Sequence, residues 1–185
     1  HVPAGHCCAL AAQDAATQQR VIDKVARAGI AIVSLPMCNM YLQDRDAGGR
    51  ATPVRRGVTL VKELRAAGVP VAIASDNARD PFYAYGDLDA LEVLREGARI
   101  LHFDHPQDEA WSWAGSVGYD AAAIAGFSYT ARLEVGAPAD LVAFRARTWT
   151  ELLSRPQADR QVIRRGAPID TTLPDYRELD DLMEA

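Results

Sequence analysis

Polar and apolar positions follow two periods through the first hundred residues. Over 15–29, "AATQQRVIDKVARAG", apolar side chains fall at Val21, Ile22 and Val25, a helical spacing, and the stretch closes on Gly29. The apolar run "IAIVSLP" follows at once and reads as a buried strand. The design repeats: "TLVKELRAAG", residues 59–68, stops at Gly68, and "VPVAIASD" is the next strand. A helix ended by glycine and followed directly by an apolar strand is half of a βαβ unit. The two glycines lie 39 positions apart, a barrel-unit period with a loop included. "HVPAGH" reads as an earlier strand, and "LDALEVLREGARILHF", residues 88–103, as the next amphipathic helix. The order βαβαβα predicts parallel strands, in a barrel or in a doubly wound sheet.

Beyond residue 104 the pattern changes. "AWSWAGSVGYDAAAIAGF" is rich in small residues and is expected to be helical in parts. "ADLVAF", residues 139–144, and "RQVIRRG", residues 160–166, read as short antiparallel strands. The tail "PDYRELDDLMEA" is acidic and reads as an exposed helix or loose end.

In both parallel architectures ligands bind at the carboxyl ends of strands. Those ends are His6, the segment Pro36 to Asn39, and Asp76-Asn77. No GxGxxG or Walker loop follows a strand, and "DAGGR" opens no helix, so nucleotide cofactors are not expected. The buried run Val71 to Ala74 stops on Ser75-Asp76-Asn77, and an Asp80-Pro81-Phe82 turn follows. Asp76 suits a turn or a helix cap, and His6 alone suits a structural role. A His and an Asp at two strand ends of one sheet also suit a hydrolytic metal site. Cys7 and Cys8 fit such a site poorly, since successive strand residues point to opposite faces. Cys38 reads as a small buried residue. His102 and His105 flank a helix end, where a cation complements the dipole. Trp111 and Trp113 read as packing residues.

Composition narrows the classes. The chain has 185 residues, 49% of them hydrophobic, and a net charge of −5. Its size allows a sizeable core with a small second domain, and its acidity argues against nucleic-acid and membrane-surface partners. No apolar run is long enough to span a bilayer. The three cysteines are odd in number and two are adjacent, so no disulfide framework is expected. With no basic region at its start, the chain is expected to be cytoplasmic.

Four stretches, "GHCCAL", "LPMCNMYLQDR", "RRGVTLVKELRAAGVPVAIASDNARDPFYAYGDLDALEV" and "GAPADLVAF", together resemble the bacterial cytosine deaminase family of the amidohydrolase superfamily. The resemblance covers nearly the whole chain. Its Asp-Asn-x-x-Asp-Pro-aromatic-Tyr stretch is specific, whereas "GAPADLVAF" is superfamily-wide. It implies a TIM-like (β/α)8 metal-dependent hydrolase barrel, with a small β-sandwich built from both chain ends. One divalent ion, iron or zinc, would sit at the carboxyl face, held by a His-x-His pair, a further His and an Asp.

The chain has no His-x-His. By the resemblance, its parallel strands match barrel strands six to eight, with strands one to five, three metal ligands and the catalytic Glu lying elsewhere. It is therefore expected to be the C-terminal half of a longer enzyme. Residues 1–128 would be the barrel portion with its following helices, and 129–185 the C-terminal part of the sandwich with the acidic tail. Alone, a half-barrel would expose unpaired edges and be inactive. Its expected partners are the N-terminal half of the same enzyme, a small heterocyclic substrate and further copies in a homo-oligomer.

The resemblance also implies roles. Asp76 would ligate the metal and accept a proton from the attacking water, and His6 would orient that water. Water would replace the ring amine and ammonia would leave. Asn77, Phe82 and Gln43 would contact the substrate. Asn77 stands where characterised relatives carry a second Asp, and Phe82 where they carry tryptophan. The expected substrate is accordingly a cytosine-like amino heterocycle or a related ring such as an N-alkylamino triazine. A reading of another class is a barrel half that serves as a scaffold or partner subunit.

Overall fold

The computed structural model describes residues 2–105, 110–128 and 131–183. Three strands, β1 (Val2–Gly5), β2 (Ile30–Ser34) and β3 (Val71–Ile73), form a parallel sheet in the order β1-β2-β3. Val2 pairs with Ile30, and Ile32 with Val71, so consecutive strands are neighbours. The crossovers are the helices that the periodicity predicts. Helix α1 (Ala15–Ala28) starts where the Asp14 carboxylate accepts a 2.9 Å hydrogen bond from Thr17 N. It ends at Gly29, whose φ of 66° is the left-handed region that glycine enters freely. The predicted helix of the second crossover is short, α3 (Val61–Ala66), with Gly68 at φ 79° before β3.

One helix differs from the sequence reading. The segment after β2 folds as α2 (Pro36–Leu42) directly below the strand end. Proline in a first turn gives up no hydrogen bond and has the right φ, so Pro36 starts the helix rather than extending the strand. Helix α4 (Ala90–Leu101) is capped by Asp89, which accepts from Leu91 N at 2.9 Å.

Alternation along the strands divides the core. Ile32 and Ile73 join Ile22, Leu64, Leu94, Phe103 and Trp113 in one large cluster. Phe103 and Trp113 stack with ring centroids 4.2 Å apart. Ala31 and Ala72 meet Ile124 of α5 (Tyr119–Ile124) in a second cluster. Small side chains there admit a close helix. The side chain of Trp111 and the boundary residues 129 and 130 lie outside the described residues.

The later strands are antiparallel, as expected. β4 (Leu141–Ala143) pairs with β5 (Gln161–Arg164), and β5 with β6 (Ala167–Pro168). Arg165 and Gly166, at φ 50° and 79°, make the two-residue hairpin turn whose twist matches the strands. Helix α6 (Trp149–Ser154), not read from the sequence, is capped by Thr148. Arg160 at the start of β5 grips Asp89 with both guanidinium nitrogens, at 2.8 and 2.6 Å. The tail carries a short exposed helix, α7 (Asp180–Met183). Among the described residues no helix is long and apolar enough to cross a membrane.

Candidate active site

The sheet's carboxyl ends gather polar groups that an apolar strand would otherwise exclude. His6 N donates to Val33 O at 3.1 Å, extending the β1–β2 ladder by one rung. There the chain turns abruptly, with His6 at φ 61° and Cys7 at φ 54°. At the end of β3, Ala74 N donates to Ser34 O at 3.0 Å and Asp76 takes φ 67°. Non-glycine residues in this region are strained, and such strain clusters where side chains are held for chemistry.

The two turns bring His6 Nε2 to 3.7 Å from Asp76 Oδ2. That spacing exceeds a hydrogen bond and is a charge contact only for a protonated ring. The His6 side chain is half exposed and Asp76 one quarter exposed. The other ring nitrogen, Nδ1, stands 2.8 Å from Nδ2 of Asn39 on α2. Asn39 is only 6% exposed, and its Oδ1 has no hydrogen-bond partner among the described residues. Sequence reasoning missed this residue. Asn39 lay within the strand-end segment, but only the turn of α2 aims it at His6.

Beneath Asp76, the buried Cys38 Sγ donates to Asn77 Oδ1 at 3.5 Å. Burial, followed by a hydrogen bond to Asp76 and its charge, pushes the Cys38 thiol up to about 11. It is therefore a neutral thiol, and its one proton goes to Asn77 Oδ1. Asn77 Nδ2 in turn donates to Asp80 Oδ2 at 2.6 Å. The other Asp80 oxygen accepts from Phe82 N and Tyr83 N at 2.9 and 3.0 Å. The Asn77 amide and these backbone bonds hold the Asp80 carboxyl below the ordinary range. The loop closes over Gly86, where a Cβ would fall 2.7 Å from the Asn77 carbonyl oxygen.

The remaining sequence candidates fall outside the His6–Asp76 pair. Gln43 does not join it as a free amide, for its Nε2 donates to Gly57 O at 2.9 Å and its Oε1 accepts from Gly57 N at 2.7 Å. Phe82 projects from the turn, 62% exposed. His102 ends α4 in the left-handed region, and Lys62 Nζ donates to the carbonyls of His102 and His105 at 2.6 and 2.7 Å. Cys7, Cys8 and Cys38 are free thiols.

The Asp76 carboxylate is a donor that suits zinc or iron, while Nδ1 of the neighbouring His6 is already engaged by Asn39. No group of three or more His, Cys, Asp or Glu side chains that could hold a metal occurs among the described residues. Asp76 by itself fits only part of a divalent site.

With this geometry in place, the sequence matches the Amidohydrolase family over residues 1–173. A pterin deaminase of Rhizobium rhizogenes is 61% identical over 184 residues, which is 100% of this chain and 41% of the relative. The chain therefore spans about two fifths of the curated relative that it matches. Two solved structures superpose well. The 5-methylcytosine deaminase from Klebsiella pneumoniae with 5-fluorocytosine gives a TM-score of 0.73 at 28% identity, over 95% of this chain and 41% of that one. The N-isopropylammelide isopropylaminohydrolase from Burkholderia multivorans gives 0.71 at 26% identity, over 91% of this chain and 38% of that one.

Proposed function

The chain belongs to the amidohydrolase family, whose fold is TIM-barrel-like, and from that premise we propose that it works as the C-terminal part of a heterocycle deaminase. The reaction is hydrolytic: water adds at a ring carbon bearing an amine, and that amine leaves as ammonia. The observation that carries the reading is the meeting of His6 and Asp76 at the carboxyl ends of β1 and β3, 3.7 Å apart. Active sites of TIM-type barrels lie at that face.

In this reading β1, β2 and β3 are barrel strands six, seven and eight. Residues 1–128 complete a barrel begun by an N-terminal portion, and 129–185 contribute to a β-sandwich. Within the described residues β1 and β3 each pair on one side only, which leaves edges for that portion to cover. The whole enzyme is proposed to assemble as a homo-oligomer.

Asp76 would help hold one divalent cation, zinc or iron, beside ligands from the N-terminal portion. When bound, such an ion lowers the pKa of water toward ~7 and so makes a nucleophile available at neutral pH. The Asp76 carboxylate accepts the proton of the attacking water and passes it to the leaving nitrogen. His6 Nε2 holds the attacking oxygen in line with the ring carbon. The Cys38–Asn77–Asp80 hydrogen bonds hold the turn that carries Asp76. Phe82 forms an apolar wall for a planar ring, while Asn77 and Gln43 shape the pocket through the loops that they close.

The pterin deaminase relative supports a bicyclic aminopteridine as substrate. A second reading, a monocyclic cytosine-like ring, is supported by the 5-methylcytosine deaminase superposition. The test is a kcat/KM panel on the full-length protein with pterin, cytosine, isocytosine and an N-alkylamino triazine. Release of the ring amine, as ammonia from the first three and as the alkylamine from the triazine, is expected with pterin foremost, and Asp76→Asn should abolish it for every ring while the protein stays folded. Turnover by Asp76→Asn within about tenfold of the parent would refute the assignment of Asp76; no ammonia or alkylamine from any ring would refute the function.

A further inference from the structure

We infer that Asn39 is a positioning residue that fixes His6 as the tautomer carrying its proton on Nε2, the nitrogen that faces Asp76. An amide nitrogen can only donate. Asn39 Nδ2, 2.8 Å from His6 Nδ1, therefore needs a lone pair there. A neutral ring has one proton, so it sits on Nε2, 3.7 Å from the Asp76 carboxylate.

The opposite tautomer would need the Asn39 amide turned over, with Oδ1 against an Nδ1–H. It would also aim a bare Nε2 lone pair at an anionic oxygen. Asn39 Oδ1 has no partner among the described residues, in a residue that is only 6% exposed. Buried polar atoms are seldom left so.

Both partners are rigidly mounted. Asn39 is locked into α2 by Asn39 N to Leu35 O, at 2.9 Å, and Gln43 N to Asn39 O, at 3.2 Å. His6 is anchored by its N–H on Val33 O and by the tight turn at φ 61°. The ring is thus held at its backbone and at Nδ1, and Nε2–H alone is left to hydrogen-bond a reacting oxygen. The inference builds on the role given to His6 under the proposed function, but the tautomer itself is measurable without turnover.

The experiment uses the full-length protein with 15N-labelled histidine. Ring nitrogen shifts report which nitrogen bears hydrogen, and His6 is assigned by the signal lost in His6→Gln. The expected parent spectrum has a bare Nδ1 and a protonated Nε2. Asn39→Asp, which can only accept, should move the proton to Nδ1, and Asn39→Ala should give a mixture. Both variants should lose kcat by on the order of a hundredfold, the lower range for a positioned proton-transfer group. KM and bound metal, by elemental analysis, should stay within about threefold. Nδ1–H in the parent, or an unchanged tautomer in both variants, would overturn the inference. If Asn39→Asp fails to fold, the parent spectrum and Asn39→Ala decide. Full activity in His6→Gln would instead remove the role of His6 and leave the tautomer result standing.

Discussion

Asn77 illustrates how a residue can sit beside a site without offering it a free group. Its amide nitrogen is spent on Asp80 and its oxygen receives the Cys38 thiol. Asn77→Asp would replace that donor with a second carboxylate against Asp80, and like charges at hydrogen-bond distance repel. The expected result is a loosened turn and a loss of kcat/KM on the order of tenfold, common to all ring substrates. A changed ranking among substrates, read from the same panel, would show instead that the amide reaches the ring. Gly86 tests the turn from the other side. A methyl group there would meet the Asn77 carbonyl at 2.7 Å and the Tyr83 ring at 2.6 Å, and a backbone carbonyl cannot swing away. Gly86→Ala should cost about 1–3 kcal/mol in unfolding free energy, the usual range for overpacking, and lower kcat by displacing Asp76.

At the scale of elements, Asp89 joins the two halves of the fold. Its carboxylate caps α4 and accepts both guanidinium nitrogens of Arg160 ahead of β5. The Arg160 hydrogen bonds, foremost among the causes, hold the Asp89 carboxyl below its ordinary range. A depressed folded value means that this stabilisation is complete above the unfolded value, about 3.9. It is lost as pH falls through the lower folded value. Asp89→Asn keeps an adequate cap and loses the ion pair, for about 1 kcal/mol. Asp89→Ala loses both, for about 2 kcal/mol. Denaturant unfolding at neutral pH should rank them so, and the gap between parent and Asp89→Asn should shrink in acid below about pH 4. A gap that is constant with pH would mean that the ion pair contributes nothing.

For the whole molecule, the prediction concerns the metal. One carboxylate ligand falls short of the three protein ligands usual in a catalytic zinc centre. Chelation of the full-length enzyme should abolish ammonia release, and zinc or ferrous iron should restore it. The 185-residue chain expressed alone should keep less than one equivalent of either ion through gel filtration. Stoichiometric retention by this chain would show that it carries a complete site of its own.

The sequence by itself determined the elements whose local physics is strong. Apolar runs with glycine stops fixed three parallel strands and their helices, and Asp76 was legible because a carboxylate ended a buried run. The antiparallel character of β4 and β5 was legible from their short apolar runs. Helix α6 was not, because Trp149–Ser154 is one and a half turns held by a Thr148 cap, too short for a period to emerge. Helix α2 was hidden for a related reason: Pro36-Met37-Cys38-Asn39 is apolar enough to continue a strand, and only the first-turn fit of proline redirects it. Tertiary structure alone decided which polar groups meet. His6 and Asn39 are 33 positions apart and Cys38 and Asn77 are 39 apart, and no local pattern sets a distance across a sheet. It also decided that the Gln43 amide pairs with the Gly57 backbone, a match made only once the intervening loop has closed.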